Sequence, residues 1–230
     1  DEDGWYIYDM GTNFVGFTEV RMPVVADGEQ VELHYDDYFL TDSVGFREGL
    51  YTDYFIGNGQ AGNAFTSKFN YKGYRYLKLI GLKEALPLEA ITASPVRTNY
   101  STNASFACSD EDMNAIYNMV HNTLKNLSLG GYIVDCPQIE RLGYGGDGNA
   151  SAMTAQTFFN LAPLYMNWMQ AWADCQRENG DMPHTAPNPY SAGGGPYWCG
   201  FIITASWQTY LNYGDKRLLE RYYPQMQKWL

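Results

Sequence analysis

Basic side chains are scarce in this sequence. Fifteen lysines and arginines stand against twenty-six aspartates and glutamates, giving a formal net charge of −11. Nucleic acid is excluded as a partner on that ground, because binding phosphate needs a basic surface. Only three histidines occur, His34, His121 and His184. They are isolated from one another, so no transition-metal site is expected. The four cysteines, Cys108, Cys136, Cys175 and Cys199, show neither a C-x-x-C pair nor paired zinc spacing. A chain of 230 residues does not need covalent staples, so reduced, buried cysteines are expected. Aspartate and asparagine are plentiful enough to hold calcium, but no EF-hand spacing appears. No run of eighteen apolar residues exists, so no membrane span is expected. The chain opens on DEDGW without a basic-then-apolar leader, so the expectation is that any signal peptide has been removed or was never there.

Aromatic residues are what the chain has in abundance: twenty tyrosines, eleven phenylalanines and six tryptophans. Most such rings fill cores and sheets. A surface that stacks on sugar rings is the sharper use of so many. Four N-x-S/T sequons stand at Asn99, Asn103, Asn126 and Asn149, a weak signal in a chain rich in Asn and Ser.

Residues 1 to about 98 read as β. WYIYDM, NFVGFTEVRM and EQVELHYD are short runs of β-branched and aromatic residues punctuated by Gly, Asn, Pro and Asp-Gly. Val31, Leu33 and Tyr35 alternate with Glu32 and His34, the pattern of a half-buried antiparallel strand. Residues 41–63 read as a polar, Gly-rich excursion. YRYLKLIGL (74–82) is apolar on both faces, which predicts a strand covered on both sides, and LEAITASPVRTNY (88–100) ends the series. Successive short strands predict a β-sandwich or part of one.

The period changes near residue 109. Ser109 to Asp112 resembles a capping box. Met113, Ile116, Tyr117, Val120, Leu124 and Leu127 then recur at three and four, one helical stripe stopped by Gly130-Gly131. Further helices are expected over SAMTAQTFFNLA, from Pro163 to about Gly180, over ITASWQTYLNY up to Gly214, and over the closing DKRLLERYYPQMQKWL. That last pattern carries no stop signal, so the chain reads as the front part of a longer protein.

Between the first two helical patterns lies GGYIVDCPQIERLGYGGDGN (130–149). It has neither helical nor strand period, yet it carries six glycines, one proline, and Asp135, Glu140, Arg141 and Asp147. An irregular segment this long is usually functional or disordered, and its apolar residues argue against disorder. Clustered carboxylates in an ordered loop make a candidate active site. From spacing alone, Glu140-Arg141 is at least as readily an incidental solvated pair; turn capping is the plainer alternative to binding for Asp135 and Asp147, and core packing for Trp198.

DCPQIERLGYGGD resembles the active-site motif of the bacterial α-L-rhamnosidases, glycoside hydrolase family seventy-eight. YIYDMGTNFVGF, YKGYRYLKLIG, FACSDEDMNAIYNMVHNTLKN, WADCQRENGDMP and GGPYWCG resemble further segments of that family in the same order. The resemblance implies a β-sandwich segment over 1–98, followed over 99–230 by the first helices of an (α/α)6-barrel catalytic domain. It implies inverting hydrolysis of terminal α-L-rhamnosyl linkages in a carbohydrate substrate, without a cofactor, in a periplasmic or secreted setting. Glu140 falls on the family's general acid. Asp135, Arg141, Tyr144 and Asp147 fall on residues that hold rhamnose or tune the acid, and Trp198 falls near an aromatic wall. The family's general base is a later glutamate, expected beyond residue 230. The chain departs from the family pattern by one residue fewer between Cys136 and Glu140, by Tyr144 in place of Trp, and by Trp-Cys-Gly at 198–200.

Two alternatives remain at this level. Another α/α-barrel carbohydrate enzyme is one; a polysaccharide lyase would want a Tyr/His pair and basic residues that the central loop lacks. A non-catalytic sugar-binding protein on the same scaffold is the other, and it would tolerate loss of Glu140.

Overall fold

The computed structural model describes residues 4–38, 52–188 and 193–230. They fall into two compact units: Asp1–Arg97 with Pro137–Ile139, and Thr98–Cys136 with Glu140–Leu230.

Among the described residues the first unit is a single antiparallel sheet. Its strands are β1 (Trp5–Arg21), β2 (Gln30–Asp36), β3 (Thr52–Ile56), β4 (Ala64–Thr66), β5 (Lys72–Ile80) and β6 (Ile91–Pro95). The order is β3-β2-β5-β1-β4, with β6 also paired to β1. Strand β1 does most of the organising. Its first half runs against β5, its register shifts between Asp9 and Phe14, and its second half takes β6 and β4 as partners. Arg75 clasps Asp9 at the shift, through Nε to Oδ1 at 2.7 Å and Nη2 to Oδ2 at 2.8 Å.

Val31, Leu33 and Tyr35 of β2 are buried as their alternation predicts. Their neighbours His34 and Asp36 are buried too, so β2 is covered more fully than a half-exposed strand. Both parities of β5 are buried as well, with Tyr74, Leu77 and Leu79 in one apolar cluster and Lys72 enclosed beside it. Strand β3 lies inside the stretch read from sequence as a polar excursion. TDYFI is only five residues long and flanked by glycine-rich segments, which hid it. The part of that excursion before β3, residues 41–51, lies outside the described residues.

The second unit begins with α1 (Glu111–Leu127). Its cap is Asp110, one residue after the serine read as the cap: the Asp110 carboxylate accepts from the Met113 amide at 3.1 Å. Of the expected stripe only Leu124 is fully buried, while Met113 and Ile116 are about half exposed at 48% and 50%. Gly130 and Gly131 do not cap α1 directly. They turn a small hairpin of β7 (Ser128–Leu129) and β8 (Tyr132–Ile133), and both have positive φ, +67° and +89°.

Helices α2 (Gly145–Phe158), α3 (Ala162–Asp174), α4 (Pro196–Cys199), α5 (Phe201–Tyr213) and α6 (Arg217–Trp229) complete the unit. Pro163 sits in the first turn of α3 and Gly214, at φ +66°, caps α5, as the sequence indicates. Helix α3 ends six residues before Gly180. There Gln176 bonds the carbonyls of Gly180 and Gln225, at 3.0 and 2.9 Å, and Arg177 folds back onto Asp181. The core gathers Tyr165, Trp168 and Trp172 of α3 with Phe201, Ile202 and Ala205 of α5 and Ala155 of α2. Its three large α3 rings sit at spacings of three and four, one buried face of that helix.

None of the four cysteines forms a disulfide, and only Cys199 is buried; Cys108 is exposed and Cys136 and Cys175 are intermediate. Among the described residues, no helix is long and apolar enough to cross a membrane.

Candidate functional site

The central stretch is shorter as a loop than its composition suggests. Helix α2 starts at Gly145, so Gly-Gly-Asp-Gly-Asn is its first turn and not part of an irregular segment. Glycine is a poor helix former, which is why the pattern misleads. Neighbouring rings require it there: a Cβ on Gly146 would stand 2.3 Å from Cε2 of Trp198, and one on Gly148 would stand 2.5 Å from Cζ of Phe201. The backbone of α2 therefore approaches the indole closely and carries Asp147 beside it.

Upstream, the loop is closed by its own polar atoms. Asp135 receives the Leu142 amide on Oδ1 and the Cys136 thiol on Oδ2, each at 3.0 Å. Its own amide donates to the Leu142 carbonyl at 3.0 Å. The Arg141 amide donates to the Cys136 carbonyl at 3.1 Å, and Arg141 itself adopts φ +59°. A non-glycine residue in that region is uncommon and often marks a functional turn. The turn reverses the chain directly after Glu140.

Glu140 is exposed, and its carboxylate has a side-chain partner. Tyr144 donates its hydroxyl to Glu140 Oε2 at 2.6 Å. The ring of Tyr144 stacks on His184, with centroids 5.5 Å apart and planes 13° apart. A short bridge joins Tyr144 to Thr185, and the Gly145 amide donates to the His184 carbonyl at 3.0 Å. The bond to Glu140 is the main cause that pushes the Tyr144 hydroxyl up to about 12, with partial burial and the charges of Glu140, Asp135 and Asp147 adding to it.

Asp147 completes the group. Its residue surface is largely open, yet shielding of the carboxylate is the first cause that raises its pKa, followed among the raising causes by repulsion from Asp135 and then Glu140. Three carboxylates thus feel one another at the start of α2. Trp198, 39% exposed, lies against the same turn. Asn149, one of the four sequon asparagines, ties that turn to the following elements: its amide donates to the Tyr197 carbonyl and its oxygen accepts from the Thr204 hydroxyl.

The structure therefore brings Asp135, Glu140, Tyr144, Asp147 and Trp198 to one end of α2, with Arg141 contributing a backbone reversal among them. Two residues of this arrangement escaped the sequence. His184 reads there as an isolated histidine. Cys136 reads as an inert thiol, yet it donates to Asp135 and accepts the Glu140 amide at 3.4 Å. No local pattern announces a stacking partner forty residues away. The place of Cys136 inside the motif was the available signal for the other.

A sheet unit followed by a helical unit, with interacting carboxylates and aromatic rings at a helix start, is an arrangement suited to carbohydrate chemistry. The chain belongs to the bacterial α-L-rhamnosidase family. Residues 101–230 match the family described as the bacterial alpha-L-rhamnosidase 6 hairpin glycosidase domain, and residues 1–97 match the bacterial alpha-L-rhamnosidase concanavalin-like domain. An α-L-rhamnosidase of Formosa agariphila is 27% identical over 97% of this chain and 25% of its own length. One from Streptomyces avermitilis is 28% identical over 99% of the chain and 22% of its own. The structure of α-L-rhamnosidase from Dictyoglumus thermophilum superposes with a TM-score of 0.89 at 28% identity, covering 98% of this chain and 26% of that one. The chain spans about a quarter of the length of the curated relatives it matches.

Proposed function

We propose that the whole protein hydrolyses terminal α-L-rhamnosyl linkages with inversion, and that Glu140 is its general acid. The observation that carries this reading is the grouping of Glu140 with Asp135 and Asp147 beside Trp198 at the start of α2. Breaking a glycosidic bond through an oxocarbenium-like transition state needs a protonated carboxyl at the leaving oxygen and a second carboxylate across the ring. Glu140 gives its proton to the leaving oxygen as the C1–O bond breaks. A water molecule attacks C1 from the other face and loses its proton to the general base. In inverting enzymes the two carboxyl groups stand roughly 6.5–9.5 Å apart to admit that water. We assign the base to a glutamate elsewhere in the whole protein. Asp135 and Asp147 accept hydrogen bonds from sugar hydroxyls, Arg141 donates to the sugar, and Tyr144 and Trp198 supply ring surface.

In the same reading the six helices open an (α/α)6 barrel over residues 99–230, and the sheet over 1–98 is part of a β-sandwich. The setting is periplasmic or secreted.

Glu140→Gln in the full-length enzyme tests the assignment. The amide keeps size and reach but has no proton to give, so the rate on a rhamnose disaccharide falls by roughly 10²–10⁴-fold. The loss is much smaller on an aryl rhamnoside whose leaving group departs unprotonated. An equal loss on both substrates removes Glu140 as donor, and full activity removes it from catalysis and favours a sugar-binding role for this site.

A further inference from the structure

We propose that Tyr144 is the positioning residue for the proton donor: its hydroxyl occupies Oε2 of Glu140 and leaves Oε1 to carry the transferable proton. The inference rests on Glu140 being the general acid. It adds which carboxyl oxygen works, and what holds it.

The geometry is a chain of constraints. Tyr144 stands immediately before α2, where its carbonyl accepts the Gly148 amide at 2.9 Å and its amide donates to the Leu142 carbonyl at 3.1 Å. Its ring lies flat on His184. With the backbone and ring both fixed, the hydroxyl has one direction left, and it meets Glu140 Oε2 at 2.6 Å. Glu140 is otherwise an exposed side chain with several rotatable bonds, and on its own it would sample many rotamers. The bond selects among them.

The direction of the bond decides the rest. A phenol pushed up to about 12 stays protonated at any working pH, so Tyr144 donates and the carboxyl oxygen accepts. In a protonated carboxyl group the carbonyl oxygen is the acceptor and the other oxygen bears the hydrogen. With Oε2 taken by the phenol, Oε2 is assigned as the carbonyl oxygen of the acid and Oε1 as the oxygen whose proton goes to the leaving group. When that proton departs, Oε2 shares the negative charge, and a bond to an ionised acceptor is roughly twice as strong as a neutral one. The contact thus strengthens as the transition state forms, which is the kind of interaction that raises rate and not affinity. Among the described residues, Asp135, Asp147, the His184 ring and the Cys136 thiol are ionisable groups beside this pair. The two aspartates add negative potential around Tyr144, which further favours its protonated form.

The test is Tyr144→Phe in the full-length enzyme, alone and combined with Glu140→Gln, assayed on a rhamnose disaccharide and on an aryl rhamnoside with an acidic leaving group. Phenylalanine keeps the ring on His184 and removes only the hydroxyl. The expected result is a kcat about ten-fold lower on the disaccharide with KM nearly unchanged, and a clearly smaller loss on the aryl substrate, since only a fraction of the acid's roughly 10²–10⁴-fold contribution depends on its aim. In the Glu140→Gln background the same change has no leaving-group-dependent effect. An equal loss on both substrates, a rise in KM alone, or a full further loss in the double variant overturns the inference. If Glu140→Gln shows the leaving-group pattern and Tyr144→Phe does not, Tyr144 fails while Glu140 stands. If Glu140→Gln lacks that pattern, the acid assignment itself has failed.

Discussion

The indole of Trp198 lies so close to the backbone of Gly146 that a single added carbon at Gly146 would sit 2.3 Å from ring atom Cε2. Close packing of this kind explains why the first turn of α2 is rich in a residue that weakens helices. It also couples the ring to the backbone that carries Asp147.

Gly146→Ala should therefore cost more than its helix propensity would return. Overpacking a filled site costs roughly 1–3 kcal/mol, and urea unfolding would measure it. Trp198→Ala should remove the clash, so the double variant is expected to be more stable than the sum of the two single changes implies. Strict additivity would show that the two groups do not touch in solution.

A second prediction concerns the sheet. Lys72 is enclosed, with its side chain 1% exposed, and its Nζ lies 3.1 Å from Asp53 Oδ1. Asp53 Oδ2 also accepts the Tyr35 hydroxyl at 3.1 Å. Lys72→Met keeps much of the volume but strands a mostly buried carboxylate. Breaking a buried pair by removing one partner costs roughly 3–5 kcal/mol. Adding Asp53→Asn should recover part of that loss, because the stranded charge goes with it. Chemical denaturation of the two variants decides the point, and a loss below about 1 kcal/mol for Lys72→Met would mean the pair is hydrated.

Asp147 gives a pH dependence with a definite sign. Its pKa is raised in the folded state, first by shielding and then by Asp135 and Glu140. The folded protein thus holds that proton more tightly than the unfolded chain does. The group's contribution to stability is fully present below its ordinary value of 3.8 and is lost as pH rises through the folded value. Asp147→Asn should melt with the wild type near pH 3 and above it at pH 7, by no more than about 3 °C. The same difference at both pH values would contradict the raised pKa of Asp147 in the folded state. A more stable but less active variant is the expected trade at a functional site.

The long regular features of the fold were legible because each had a local signal. The stripe over 113–127, the proline opening α3 and the glycine closing α5 are written in consecutive residues. What was not legible depends on contacts distant in sequence. Strand β3 is five residues long and gains its place from pairing with β2. The start of α2 was hidden because its glycines answer to Trp198 and Phe201, about fifty residues on. Helix α3 stops where Gln176 finds the carbonyl of Gln225. At the site, the carboxylates were found through the motif, whereas the His184 ring beneath Tyr144 belongs to a loop with no pattern of its own.

The last prediction separates Asp135 from Glu140. Both oxygens of Asp135 already accept bonds from the loop, from the Leu142 amide and the Cys136 thiol. A carboxylate oxygen can accept more than one donor, so these contacts leave room for sugar hydroxyls. Asn at this position offers an oxygen to only one of the two loop donors and turns a second donor toward the other. The loop then relaxes and the oxygens it offers to the sugar shift, and a displacement of about 1 Å can cost 10²-fold in rate. On the proposed reading, Asp135→Asn in the full-length protein should raise KM and lower kcat together, for a loss of about 10–100-fold in kcat/KM. It should do so equally on the disaccharide and on the activated aryl rhamnoside, since neither loop closure nor sugar binding depends on the leaving group. Cys136→Ala removes one loop contact to Asp135 while leaving the carboxylate in place, and its loss should be only a few-fold on the same scale. A loss in Cys136→Ala as large as in Asp135→Asn would mean that Asp135 works by bracing the loop and not by holding sugar. A loss in Asp135→Asn confined to the disaccharide would instead place it in the proton donor's circuit.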